Sequence, residues 1–102
     1  MILTIKDRLM ILGMLPQEGS LSEMVDIYDL ARELKLSDEE KETVKYEENG
    51  QSITWNSKAD PNKDITFSKD QKNIFLHVVD KLDKEKKINL GQIETILKVK
   101  NG

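Results

Sequence analysis

Residues 44–55 read Val44-Lys45-Tyr46-Glu47-Glu48-Asn49-Gly50-Gln51-Ser52-Ile53-Thr54-Trp55, and within them the hydrophobic period changes from that of a helix to that of a strand. Val44 and Tyr46 alternate with Lys45 and Glu47 before Asn49-Gly50, and Ile53 and Trp55 alternate with Ser52 and Thr54 after it. Asn-Gly supplies the two positive-φ residues of a type I′ turn, so the spacing predicts a β-hairpin over 44–48 and 51–55, with Tyr46 opposite Ile53 and Val44 opposite Trp55. All four apolar side chains then share one face. A two-stranded ribbon is marginal in water, so that face is expected to rest on helices.

Helical patterns flank the hairpin on both sides. Thr4 can cap with Asp7 a segment that runs to Leu15 and stops at Pro16, with Ile5, Leu9 and Leu12 at helical spacing. Ser20-x-x-Glu23 is a capping box, and behind it Met24, Ile27, Tyr28, Ala31 and Leu34 predict a helix with one buried face. Ser37-x-x-Glu40 opens a short acidic helix that ends near Thr43. After the polar stretch 57–64, Ile65-Thr66-Phe67 predicts a short strand, 65–67. Ser68-x-x-Gln71 then caps the longest helix, with Ile74, Phe75, Val78, Val79 and Leu82 inward, and Asn89-x-x-Gln92 starts a last one with Ile93, Ile96 and Leu97 inward. The expected fold is α+β and mostly helical: two N-terminal helices, a short third helix, the hairpin, a short strand and two C-terminal helices, in a single compact domain over 1–102.

Composition narrows the chemistry. The 102 residues include no cysteine and one histidine, His77, so neither a disulfide framework nor a thiolate metal site can form, and no Ser-x-x-Lys or Gly-x-Ser-x-Gly pattern accompanies His77 to suggest a triad. No Gly-rich phosphate loop is present, and no enzyme activity, cofactor or metal is expected. Asp60-Pro61-Asn62-Lys63-Asp64 opens like a calcium loop, but Ile65 stands where that loop needs Gly and Gln71 where it needs Glu. His77 falls outside its helix's apolar stripe and is expected at the surface. The apolar N-terminus is interrupted by Lys6, Asp7 and Arg8, leaving far fewer than the ~20 residues of a membrane span. With no export signal, a cytoplasmic location without membrane contact is expected.

Charge bears on partners. The formal charge is −3, and residues 1–56 hold 6 basic and 12 acidic side chains whereas 57–102 hold 10 and 7. A chain so polarised can pair head to tail with itself or with a charged partner. Segment 28–43 followed by the hairpin has the outline of a helix-turn-helix with a wing, which makes a winged-helix nucleic-acid-binding regulator the alternative function. Asp38, Glu39, Glu40 and Glu42 would then face phosphates, so nucleic acid is not the expected partner.

Ten of the first 15 residues are apolar, more than one face of a helix in a small domain absorbs. The first helix is therefore either central or part of an interface. Leu9, Met10 and Met14, with the edge of Trp55, are the candidate interface to a protein partner or to a second copy. The punctuation Lys6-Asp7-Arg8, Leu12-Gly13, Leu15-Pro16 and Glu18-Gly19, then Leu36-Ser37 and Glu39-Glu40, Glu48-Asn49-Gly50-Gln51, Ile53-Thr54-Trp55-Asn56 and Lys81-Leu82-Asp83-Lys84-Glu85-Lys86-Lys87 resembles that of small proteins encoded by bacteriophages, prophages and conjugative elements. The resemblance implies an accessory protein of a mobile element that acts by binding. It carries no catalytic residue.

Overall fold

A computed structural model describes all 102 residues. Five α-helices carry the molecule: α1 (Ile5–Met14), α2 (Leu21–Leu34), α3 (Asp38–Thr43), α4 (Lys69–Lys84) and α5 (Leu90–Asn101). Four of them begin as the sequence specifies, each with a hydroxyl that accepts from a backbone N–H one turn on and an acidic or amide side chain that accepts in return. The pairs are Thr4 with Asp7, Ser20 with Glu23, Ser37 with Glu40 and Ser68 with Gln71. At α5 the Gln92 side chain accepts from the Asn89 N–H at 3.1 Å. The fold is α+β and mostly helical, with two small antiparallel ribbons beside the helices.

Helix α1 packs against α2 and α5, and α4 packs against the same two. The four long helices thus form a ring in which α2 and α5 occupy diagonal corners. Inside the ring lie Leu3, Ile11, Leu15, Ile27, Leu30, Leu34, Ile65, Phe67, Phe75, Ile96 and Val99. Phe67 and Phe75 meet edge to face with centroids 6.3 Å apart, the arrangement that ring quadrupoles favour.

The hairpin is shorter than the alternation predicts and is paired differently. Strands β2 (Glu47–Asn49) and β3 (Ser52–Thr54) set Glu47 opposite Thr54, Glu48 opposite Ile53 and Asn49 opposite Ser52, so the loop residues are Gly50 and Gln51. Gly50 takes the positive φ, 65°, at the first loop position, as in type II′ turns, and Asn49 stays in the strand. Val44 is lost from the ribbon because Lys45 turns through φ 54° and Val44, the C-cap of α3, is buried. The re-pairing displaces one strand by two residues, which preserves facing: Tyr46, Ile53 and Trp55 remain on one side. That side does not rest on helices along its length. Tyr46 and Trp55 are half-buried at the root of the ribbon, and Ile53 is exposed.

The short strand also falls elsewhere. β4 is Lys63–Asp64 and pairs antiparallel with β1 (Ile2–Leu3), while Ile65 and Phe67 continue as extended chain with both side chains in the core. The N-terminal ammonium donates to the Asp64 carboxylate at 2.9 Å and to the Ile65 carbonyl at 3.1 Å, which ties the first residue to this ribbon.

Two helices are rotated from their expected setting. α2 buries Ile27, Leu30 and Leu34 and turns Tyr28 outward; α5 buries Thr95, Ile96 and Val99 and exposes Ile93 and Leu97. For α5 the cause lies in Asp7. Its carboxylate accepts from the Thr95 hydroxyl and from the Lys98 ammonium, at 2.6 Å for the latter, so the 95–98 side of the helix must face α1.

Candidate functional site

The only buried charged side chains are Asp7 and Arg8, neighbours on α1. Arg8 donates from Nε to the Leu34 carbonyl at 3.0 Å and from Nη2 to the Lys35 carbonyl at 2.9 Å, capping the end of α2. It also meets Glu40 as a fork, Nη1 to Oε2 at 2.6 Å and Nη2 to Oε1 at 3.1 Å. The hydrogen bonds from the Arg8 guanidinium hold the Glu40 carboxyl at about 2, well below its ordinary 4.5. At Asp7 burial pushes the carboxyl up, but the hydrogen bonds from Lys98, Thr95 and the Thr4 backbone outweigh it and the net shift is downward. Every strong acceptor and donor here is taken by the fold itself. The pair braces α1 against α2, α3 and α5.

The other chemistry-bearing groups are similarly committed or scattered. Asp60 accepts from the Ile5 and Asn62 N–H groups, and Asp64 binds the N-terminus, so the calcium-loop carboxylates serve the backbone. No three His, Cys, Asp or Glu side chains stand close enough together to hold a metal ion. His77 is exposed on α4.

Of the four candidate interface residues, three lie along α1 and Trp55 at the root of the ribbon. Leu9, Met10, Met14 and Trp55 are each half-buried. Met14 leans on the core and lines a shallow groove of about 470 Å³ with Pro16, His77 and Leu82, at the C-terminal end of α1. Trp55 lies by Thr4 and Lys6 at the other end of that helix, its indole N–H buried without a hydrogen-bond partner. α1 is one corner of the ring, and its apolar side chains go inward and into its flanks.

Large apolar side chains are exposed on other helices, to between about two fifths and nine tenths of their surface. On α2 they are Leu21 (82%), Val25 and Tyr28 (65%); on α5 they are Leu90 (92%), Ile93 and Leu97. Each set spans two helical turns on the face opposite the buried one. Tyr28 also borders a groove of about 430 Å³ between α1 and α2, lined by Leu12, Met24 and Ala31. Leu97 borders one of about 370 Å³ between α4 and α5, lined by Leu76, Val79 and Ile88. The sequence carried a signal for these stripes: α5 has apolar residues at 90, 93, 96, 97 and 99, around more of the helix than one buried face accounts for.

The winged-helix outline acquires definite geometry. α3 has six residues, under two turns, with Glu40 engaged by Arg8 and Asp38, Glu39 and Glu42 exposed. The ribbon tip exposes Glu47 and Glu48. No helix is long and apolar enough to cross a membrane. Compared with known proteins, the chain matches no family model, no curated protein and no solved structure.

Proposed function

We propose that this chain is a protein-binding module without catalytic machinery, working through the apolar side chains that α2 and α5 turn outward. The observation that carries this is the exposure of Leu21 and Leu90 at the heads of two regular stripes, each on a helix whose opposite face is already buried. Contiguous exposed apolar side chains mark interaction surfaces because leaving them in water gains nothing for the free protein. The resemblance of its punctuation to small proteins of bacteriophages, prophages and conjugative elements supports an accessory role in such an element, within the cytoplasm. A nucleic-acid-binding role would require α3 to meet phosphates with exposed carboxylates, against the term that supplies most affinity.

The test is affinity capture from the cells that encode the chain, using the native protein beside a variant with Leu21→Gln and Leu90→Gln. A protein retained stoichiometrically by the native chain, insensitive to nuclease and lost from the variant, is the expected result. Identical retention by both, or companions that nuclease removes, contradicts it.

A further inference from the structure

Building on the protein-binding reading, we propose that the occupant of these stripes is a second copy of the chain, the α2 side of one molecule docking on the α5 side of the next. The two stripes match in length, because Leu21 to Tyr28 and Leu90 to Leu97 each cover seven residue steps, roughly 10 Å along a helix. Each also borders a shallow groove at one end, through Tyr28 between α1 and α2 and through Leu97 between α4 and α5, the second holding Asp80 and Asp83 beside its apolar lining. Both sides therefore present a ridge and a recess, as helix packing requires.

Charge selects the pairing. Residues 17–34 hold Glu18, Glu23, Asp26, Asp29 and Glu33 against Arg32, whereas residues 84–101 hold Lys84, Lys86, Lys87, Lys98 and Lys100 against Glu85 and Glu94. Lys84, Lys87 and Lys98 already have carboxylate partners within the chain; Lys86 and Lys100, one beyond each end of the α5 stripe, have none, nor do Glu18 and Asp29 beside the α2 stripe. Laid antiparallel, with Leu21 on Leu97 and Tyr28 on Leu90, Asp29 stands across from Asn89, and Arg32, whose guanidinium lies over the Tyr28 ring, stands across from Lys86. Laid parallel, Glu18 meets Lys87 and Asp29 meets Lys98 and Lys100. The parallel direction is the one that brings carboxylates to ammonium groups, while α2 on α2 or α5 on α5 confronts like with like.

Because α2 and α5 sit on diagonal corners, their outer faces point away from each other. A docked pair leaves one α2 side and one α5 side free, so association is heterologous and continues until a ring closes or a filament grows.

Two variants test this: Leu21→Gln with Tyr28→Gln, and Leu90→Gln with Leu97→Gln. Sedimentation of the native chain should give a mean mass that rises with concentration. Each variant alone should remain a monomer, and an equimolar mixture should form a discrete dimer and nothing larger, one intact α2 side meeting one intact α5 side. Circular dichroism and a thermal melt establish that each is folded; Leu90→Gln alone replaces the second pair if that pair melts early. A native chain that stays monomeric at millimolar concentration, a variant that self-associates like the native chain, or a mixture that stays monomeric overturns the proposal. A monomeric native chain that still captures a different protein through Leu21 and Leu90 leaves the binding reading standing without this partner.

Discussion

Asp7 and Arg8 are adjacent in sequence, yet they brace different neighbours: Asp7 fastens α5, and Arg8 fastens the α2–α3 corner. Glu40→Gln removes the counter-charge from a fully buried guanidinium, so we expect a loss of about 3–5 kcal/mol in urea unfolding, with an unchanged denaturant slope. Thr95→Val keeps the shape and deletes one donor to the Asp7 carboxylate, with an expected cost of about 1–3 kcal/mol. Both carboxyls are held below their ordinary values in the fold, so their stabilisation is present above the unfolded values and is lost as pH falls. For Glu40 that window runs from 4.5 down to about 2, and the contribution there is about 3 kcal/mol. The urea midpoint of the native chain should hold steady at neutral pH and drop through this acid window. In Glu40→Gln, already weakened, the drop should be shallower; an equally steep one would mean that Glu40 is not the titrating group.

At the scale of elements, what could be read from the sequence separates by the range of the interaction that determines it. Caps, helix order and the presence of a ribbon were legible, because Ser20 with Glu23 or Ser68 with Gln71 is a contact three residues long. Hairpin register was not: the positive φ at Lys45, which removes Val44 from the strand, accompanies the burial of Val44 at the end of α3, a tertiary demand. Nor was the rotation of α5, since its apolar residues fit either of two inward faces and only Asp7, 88 positions from Thr95 in the chain, decides between them. The rotation makes a sharp prediction. Leu90→Gln or Leu21→Gln should change stability by no more than about 0.5 kcal/mol, whereas Ile96→Ala should cost about 2–5 kcal/mol by thermal or urea unfolding. Equal costs would mean that α5 faces the core differently.

The whole molecule is a ring of four helices about 35 × 28 × 28 Å in extent, with an acidic α2 corner and a basic α5 corner diagonally across from it. The charge asymmetry was legible in the chain, but the two stripes that give it something to steer became visible only when α2 and α5 were set in the ring. Amide chemical shifts followed through a dilution series, from millimolar to low micromolar, test the central claim most directly. We expect concentration-dependent shifts confined to the outer faces of α2 and α5 and their bordering grooves, around Leu21, Val25 and Tyr28 and around Leu90, Ile93 and Leu97. Shifts that do not move, or that cluster on α1 and the ribbon around Met10 and Trp55, would contradict it.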